Sequence, residues 1–320
     1  SFHTLKKDFD KINLNQKNEI QKGLMYKTKE LLETIGSPKF SNQDFSYFRY
    51  TNYKYSQKHA QVILNSISRL INSFKKQPNL KNNTKSYFSA SMIEVPEERM
   101  KGRLLDTLWN CDIKSFHIDA GDGQFVTRKF CGLNKTRILK QRFPKATLHA
   151  HLMIKNPHFP VNGDLSAIQK YAEAGCNSIA VHPRSFDRQN DIPIAINLIR
   201  NLKCRAGLVI EVGDVLHRKK IDLIINSKID WIIIMGVPIG YGGQLFNFTS
   251  LQTIQEIKNL SLNHKIKDML IEVDGGLTPH IARLCKNAGA QVFAGWSLVK
   301  GKSNIQMSDK INNLKEILSN

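Results

Sequence analysis

Short apolar segments of strand length alternate with amphipathic segments of helical spacing over most of the chain. The helical segments include Leu165–Ala174, Leu251–Asn259 and Thr278–Asn287. The apolar segments predict eight β-strands, at Tyr87–Met92, Ser115–Ala120, Thr147–Ile154, Ser178–His182, Ala206–Ile210, Trp231–Met235, Met269–Asp274 and Gln291–Ala294. Strands that are each followed by a helix favour an α/β fold of the (β/α)8 TIM-barrel type. A doubly wound sheet shares this alternation, but the first strand–helix turn lacks the G-x-G-x-x-G of a dinucleotide site.

The first quarter of the chain has a different pattern. We predict a basic, aromatic-containing helical extension over residues 1–83 and a barrel over residues 84–320. Apolar residues of the extension recur with helical spacing on both sides of Gly36-Ser37-Pro38. Aromatic residues are concentrated over residues 40–55, between the two predicted helices. They could stack on nucleic-acid bases, but we favour burial of the helices against the barrel or a second subunit.

The formal net charge is +20, and residues 1–85 carry half of it, with 16 Lys and Arg against 6 Asp and Glu. A solvated basic surface is the simplest interpretation. The alternatives are contact with a protein or polyanion through residues 1–83, and attraction of an anionic substrate to a positive cleft. The five cysteines form no C-x-x-C, which predicts reduced thiols in the cytoplasm or an organelle matrix. No apolar run approaches the ~20 residues of a transmembrane helix.

Imidazole and carboxylate side chains lie at the ends of three predicted strands. His117 and Asp119 are two residues apart and therefore point to the same side of their strand, while His151 and Asp274 lie at the ends of two others. In a barrel these strand ends converge on one rim, where active sites lie. The four side chains predict a site for one divalent metal, and their mixed nitrogen and oxygen donors suit Zn, Fe, Mn or Co. His149 shares the face of His151, and we interpret it as barrel filling.

Asp119 and Asp274 also supply the acid and base that inversion beside a carbonyl requires. A metal bound to the carbonyl and hydroxyl oxygens stabilises the enediolate that forms when the carbon loses its proton. One carboxylate can take the proton from one face, while the other returns a proton to the opposite face. The pattern therefore indicates an enzyme that inverts a carbon next to the carbonyl of a sugar phosphate.

Glycines after the last three predicted strands could hold the phosphate through backbone N–H groups. Barrels frequently bind phosphate near their last two strands, and glycine permits close approach of a ligand to the backbone. Each glycine alone is weak evidence. The candidate positions are Gly242, Gly243, Gly275, Gly276, Gly295 and the adjacent Trp296.

The order and spacing of these motifs resemble the ribulose-phosphate 3-epimerase family over about residues 86–305. The shared motifs include Ser89-Ala90-Ser91, His117-Ile118-Asp119, His151-Leu152-Met153, Gly240-Tyr241-Gly242-Gly243-Gln244 and Glu272-Val273-Asp274-Gly275-Gly276. The resemblance implies a homo-oligomeric (β/α)8 barrel that converts D-ribulose 5-phosphate to D-xylulose 5-phosphate. It implies a metal on His117, Asp119, His151 and Asp274, with the two aspartates as the acid/base pair. Ser91 is then a substrate contact, and His151, Met153 and Met235 complete the predicted lining of the pocket.

Several positions depart from the family pattern. Family members usually carry a methionine that helps to cap the active site where this chain has Gly121, so we expect a larger or wetter pocket. Glu211-Val212-Gly213 replaces the family's Asn-Pro, Pro238-Ile239-Gly240 replaces its Asn-Pro-Gly, Trp296 its serine and His149 its aspartate. The positions that carry the chemistry are retained, while the residues that surround the substrate are altered.

Three functions are compatible with these observations. The leading hypothesis is a ketose-phosphate 3-epimerase that acts on ribulose 5-phosphate. The second keeps the reaction but changes the substrate to another phosphosugar, such as a ketohexose 6-phosphate. The third is a non-catalytic, epimerase-like subunit whose basic extension mediates contacts to protein, RNA or membrane. The retained ligand set favours the first two, and the extension motivates the third.

Overall fold

The computed structural model describes residues 86–130, 132–240, 244, 246–266, 268–295 and 304–319. The predicted extension over residues 1–83 lies outside these ranges, as do Gly242, Gly243 and Trp296. What the sequence predicts for those positions stays a prediction. Within the described ranges, no helix is both long and apolar enough to cross a membrane.

A closed parallel barrel forms the centre of the described structure. The strands are β1 Tyr87–Ser91, β2 Ser115–Asp122, β3 Lys129–Phe130, β4 Thr147–Met153, β5 Ser178–Val181, β6 Arg205–Ile210, β7 Trp231–Met235, β8 Leu270–Asp274 and β9 Val292–Gly295. All except β3 pair in parallel with both neighbours, and β1 pairs with β2 and β9 to close the sheet. Closure leaves eight strands around one axis, which confirms the predicted (β/α)8 fold.

A helix follows each of the eight barrel strands. The helices are α1 Arg103–Asn110, α2 Leu133–Arg142, α3 Ala167–Glu173, α4 Asp191–Asn201, α5 Arg218–Asn226, α6 Thr249–Asn263, α7 Pro279–Ala288 and α8 Asn304–Ser319. Helix α3 begins two residues after the predicted start because Ser166 caps it: its Oγ accepts from the Gln169 N–H, and Gln169 Oε1 accepts from the Ser166 N–H. Helix α6 extends beyond the predicted Leu251–Asn259 at both ends.

Inside the barrel, bulky side chains fill the lower layers and leave the upper ends of the strands for polar residues. Trp231 is fully buried and packs against Ala180, Val209 and Ile233. A Cβ on Gly207 would lie 2.4 Å from the indole ring, so glycine at this position provides the space for the ring. His149 is buried beside the same indole, with ring centroids 5.2 Å apart, as expected for barrel filling.

The short strand β3 was not predicted. It pairs antiparallel with the end of β2, placing Phe130 opposite Gly121 and Lys129 opposite Asp122. Asp122 braces the resulting hairpin, because its Oδ1 accepts from the backbone N–H groups of Gln124 and Phe125 at 2.8 Å each. Its Oδ2 accepts from the Lys155 N–H at 2.7 Å. Residues 121–130, the rim hairpin, are thereby fixed to the loop after β4.

Candidate metal centre and active site

Four polar side chains converge at the C-terminal ends of three barrel strands. His117 and Asp119 come from β2, His151 from β4 and Asp274 from β8, and one ligand atom from each lies within 4.8 Å of the others. All four residues are buried. Parallel register explains part of the convergence, since Asp119 is paired directly with His151 across β2 and β4. The structure therefore brings together the whole ligand set that the sequence predicts.

The four side chains direct two nitrogens and two oxygens towards a common centre. His117 Nε2 lies 3.3 Å from Asp119 Oδ1 and 3.5 Å from Asp274 Oδ2. His151 Nδ1 lies 3.2 Å and 3.4 Å from the same two oxygens. Among the described residues, His117 Nε2 is a buried nitrogen without a hydrogen-bond partner. A buried, unbonded imidazole nitrogen facing two carboxylates fits a divalent cation with mixed nitrogen and oxygen ligands.

The two buried carboxylates of the cluster are stabilised only if positive charge lies between them. Burial would lower the pKa of His117, but the charges of Asp119, Asp274 and Glu272 outweigh it and raise that pKa well above its usual range. Burial likewise opposes ionisation of Asp119 and Asp274, but the neighbouring His117 and His151 lower the pKa of both carboxyl groups. Two buried carboxylates thus stay ionised only beside protonated imidazoles or a bound cation.

A buried carboxylate stands behind His117. His117 Nδ1 donates to Glu272 Oε1 at 2.7 Å, and Trp231 Nε1 donates to Glu272 Oε2 at 3.0 Å. Glu272 itself is fully buried. When His117 is neutral, as a metal ligand must be, its proton lies on Nδ1 towards Glu272 and the lone pair of Nε2 faces the centre. We call Glu272 and Trp231 the core-side support.

A second group of residues stands behind His151. His151 Nε2 lies 2.8 Å from His182 Nε2, and His182 Nδ1 lies 2.9 Å from Glu211 Oε1. Arg184 donates to both carboxylate oxygens of Glu211, at 3.2 and 2.8 Å. Burial lowers the pKa of His182 to about 4, although its hydrogen bond to Glu211 acts in the opposite direction. We call His182, Glu211 and Arg184 the rim-side support.

Sequence reasoning missed both supports, although part of the signal was present. Glu272 precedes Asp274 by two residues and so shares its face of β8, inside the barrel. His182 ends a predicted strand. Glu211 stands out in the sequence only as a departure from the family pattern, because nothing in the order of residues shows that it reaches the ring of His182.

Comparison with known proteins agrees with this geometry. The sequence pattern of the Ribulose-phosphate 3 epimerase family matches residues 89–299. The chain belongs to this family. A ribulose-phosphate 3-epimerase from Buchnera aphidicola subsp. Schizaphis graminum is 30% identical over 209 residues, which cover 65% of this chain and 82% of that protein. The Bacillus subtilis ribulose-phosphate 3-epimerase is 30% identical over 192 residues, covering 59% and 80%. As a member of the epimerase family, the chain is an isomerase.

A more distant structural likeness shows the fold alone. A mutant tryptophan synthase alpha-subunit from Pyrococcus furiosus superposes with a TM-score of 0.52 at 12% identity. The superposition covers 74% of this chain and 99% of that one. At this identity the likeness supports the barrel and carries no information about the substrate.

Ser91, Met153 and Met235, which the family resemblance gives as substrate contacts, lie at the same end of the barrel as the cluster. Ser91 Oγ, at the end of β1, donates to Asp119 Oδ2 at 3.0 Å. Met153 is buried and lies opposite Gly121 in the β2–β4 register, and Met235 is buried opposite Asp274 in the β7–β8 register. Their contact with substrate stays a prediction, but Ser91 and Met235 are each paired with a cluster residue, and Met153 is two residues from His151 on the same strand.

The described candidate glycines have packing roles of their own. Gly275 and Gly276 have φ of +88° and +68°, and a Cβ on Gly276 would lie 2.7 Å from Phe246 Cα. The Gly275 N–H donates to the Ala294 carbonyl at 3.3 Å. By contrast, the nearest atoms to a Cβ on Gly295 within the described residues would be those of the Leu277 side chain, at 4.0 Å. Phosphate binding at these glycines stays a prediction.

The absence of a side chain at Gly121 does not leave open space directly beside it, while the size of the whole pocket stays a prediction. A Cβ on Gly121 would lie 2.8 Å from the Arg128 carbonyl oxygen and 2.9 Å from two ring carbons of Phe130. Residues directly opposite each other in an antiparallel pair share a face, so Phe130 lies on the face of β2 that carries Asp119. The aromatic ring thus fills the space beside Gly121 that a side chain at this position would occupy.

Proposed function

We propose that this protein is a metal-dependent ketose-phosphate 3-epimerase that interconverts D-ribulose 5-phosphate and D-xylulose 5-phosphate. The observation that carries the proposal is the pair of buried carboxylates, Asp119 and Asp274, that come from different strands and face the same two imidazoles. Epimerisation needs one group on each face of the carbon that is inverted. Family membership supports the choice of reaction and of a sugar-phosphate substrate.

The two carboxylates divide the proton transfer. The carboxylate on one face of C3 accepts its proton, and the carboxylic acid on the other face donates one to the resulting enediolate. The hydrogen bond from Ser91 and the charges of His117 and His151 favour the ionised form of Asp119, whereas the negative charge of Asp119 makes Asp274 easier to protonate. We therefore assign Asp119 as the base for one epimer and Asp274 as the base for the other, with roles reversed in the reverse reaction.

A divalent metal, Zn, Fe, Mn or Co, would be held by His117, Asp119, His151 and Asp274. When bound, it would polarise the substrate carbonyl and stabilise the negative charge that develops on removal of the C3 proton. The orphaned Nε2 of His117 and the common oxygen neighbours of both imidazoles support this assignment.

The proposal is tested by replacing each aspartate with asparagine. We expect Asp119→Asn and Asp274→Asn each to lower kcat by about 100- to 10,000-fold, the usual contribution of a positioned acid or base, without changing the circular dichroism spectrum. Asp187→Asn is the matched control, because Asp187 is an exposed carboxylate that pairs with Lys155 away from the cluster. Substantial epimerase activity in either active-site variant would refute the role assignment.

The substrate is tested with a panel of ketose phosphates. We expect the highest kcat/KM for D-ribulose 5-phosphate, since Phe130 fills the space that Gly121 was expected to open for a larger sugar. A higher kcat/KM for a ketohexose 6-phosphate would select the second hypothesis. Absence of both stoichiometric metal and turnover of every ketose phosphate would select a non-catalytic, epimerase-like subunit.

We further propose a homo-oligomer in a reducing compartment, the cytoplasm or an organelle matrix, with residues 1–83 available for contact with protein or a polyanion. Free Cys111, Cys176, Cys204 and Cys285 support the reducing compartment. The net charge of +20 supports the polyanion contact. Light scattering measures the oligomer, and RNA binding that weakens steeply with salt would identify the polyanion.

A further inference from the structure

We propose that His182 and Glu211 are positioning residues that set the tautomer of His151 and thereby raise the affinity of the centre for its metal. The proposal rests on the metal site described under the proposed function, but it does not depend on which sugar phosphate the enzyme uses. It assigns a role to Glu211, which the sequence shows only as a departure from the family pattern.

The hydrogen-bond chain has one direction, and the carboxylate determines it. An ionised carboxylate can only accept, so Glu211 Oε1 requires the proton of His182 on Nδ1, 2.9 Å away. The other ring nitrogen of a neutral His182, Nε2, is then an acceptor. It faces His151 Nε2 at 2.8 Å, and a contact of this length between two nitrogens needs one donor and one acceptor. His151 therefore carries its proton on Nε2.

As a consequence, the lone pair of His151 lies on the nitrogen that faces the metal site. A neutral His151 that is protonated on Nε2 has its free electron pair on Nδ1. That atom is the one that faces Asp119 Oδ1 and Asp274 Oδ2, at 3.2 and 3.4 Å. Without an acceptor at His182, the opposite tautomer would place a proton on Nδ1, where it would compete with the metal.

The surroundings hold the chain in this arrangement. His182 and His151 are fully buried, and their rings lie within 22° of parallel, with centroids 5.0 Å apart. Phe125 of the rim hairpin packs against His182, with ring centroids 4.9 Å apart. Arg184 binds both oxygens of Glu211 and also lies over the Phe125 ring, 4.8 Å from its centroid. Glu211 is thus oriented by a partner that is itself packed against the hairpin.

The test measures metal binding without substrate. The dissociation constant for Zn²⁺ is determined by competition with a chromophoric chelator for the wild type, His182→Phe, Glu211→Leu and Glu211→Gln. We expect His182→Phe and Glu211→Leu to weaken Zn²⁺ binding by about 10- to 100-fold, the usual cost of losing an outer partner of a ligand histidine. Glu211→Gln should retain most of the affinity, because the amide oxygen can still accept from His182 Nδ1.

A matched control separates this role from general packing. His158 is also buried between aromatic rings, those of Phe159 and Phe186, and lies outside the ligand cluster. His158→Phe should leave the Zn²⁺ dissociation constant within about threefold of wild type, the scatter expected when no partner of a ligand is removed. Thermal unfolding of the metal-free proteins shows whether each variant is folded.

Nitrogen-15 NMR of the Zn²⁺-loaded wild type gives an independent reading. We expect a protonated Nε2 and a metal-bound Nδ1 on His151. Metal on Nε2 would overturn the proposal, as would a folded His182→Phe variant that binds Zn²⁺ as tightly as wild type. Failure to turn over D-ribulose 5-phosphate would count against the proposed function alone, since neither measurement uses a substrate.

Discussion

The two histidines of the centre, His117 and His151, differ in the residues that hydrogen-bond to their nitrogens on the side away from the metal site. On the core side, Glu272 is 0% exposed and its second oxygen is bound by Trp231, so the support for His117 is part of the barrel interior. On the rim side, the Glu211 side chain is 18% exposed and the Arg184 side chain 64% exposed. One support is therefore enclosed by the barrel core, while the outer part of the other lies at the surface, and its removal should cost less stability. The centre combines a histidine fixed by the barrel with a histidine fixed by its loops.

The largest expected effect on stability comes from removing Glu272, the carboxylate of the core-side support. Glu272→Leu leaves the Nδ1 of His117 and the Nε1 of Trp231 without an acceptor in a buried environment. Each unsatisfied donor costs about 1–3 kcal/mol, so the free energy of unfolding should fall by about 3 kcal/mol or more, together with metal affinity. Glu211→Leu leaves one buried donor, His182 Nδ1, without its acceptor, so it should weaken metal binding with a smaller loss of about 1–3 kcal/mol. Urea unfolding of the metal-free proteins compares the two, and equal losses would contradict the distinction.

An intermediate effect is expected at the rim hairpin. Gly121→Ala should destabilise the protein by about 1–3 kcal/mol through overpacking, because the new Cβ would meet the Arg128 carbonyl and the Phe130 ring. Phe130→Ala should raise KM by removing the ring that occupies the space beside Gly121. In the double variant the ring contact is relieved while the carbonyl contact remains, so the losses should be smaller than their sum. Strict additivity would show that Phe130 does not occupy this space.

The smallest effect is expected at the outer end of the rim-side support. Arg184→Met removes an exposed ion pair, and such pairs contribute about 0–1 kcal/mol. We expect an unfolding free energy within that range of wild type, and a Zn²⁺ dissociation constant changed by about fivefold or less, since 1 kcal/mol is about a fivefold change in an equilibrium constant. A change as large as that of Glu211→Leu would place the control of His151 at the guanidinium rather than at the carboxylate.

The barrel and the four-residue cluster follow from periodicity. The first and last residues of each predicted strand agree with those of an observed barrel strand to within two residues. The agreement arises because buried parallel strands are marked by continuous apolar runs such as Trp231–Met235. The position of His117 and Asp119 on one face follows from the two-residue repeat of a strand. Once the strands close into a barrel, their C-terminal ends meet, and the cluster needs no further information.

The residues around the cluster could not be found in this way. Glu211 reaches His182 from the loop after β6, and the geometry of a loop is set by tertiary contacts rather than by a repeat. The rim hairpin depends on β3, only two residues long, which is too short to leave a periodic signal. The space beside Gly121 could not be predicted for the same reason. The absence of a side chain there predicts open space, whereas Phe130 of the unpredicted strand β3 occupies it.

The most direct test of the central claim follows the C3 hydrogen in deuterium oxide. Two carboxylates on opposite faces predict that Asp119→Asn and Asp274→Asn, each with saturating metal and measured metal content, slow interconversion by about 100- to 10,000-fold. Each variant should still exchange the C3 hydrogen of one pentulose 5-phosphate epimer with solvent, and the two variants should exchange different epimers. Exchange of both epimers by either variant, or of the same epimer by both, would contradict the assignment of one aspartate to each face.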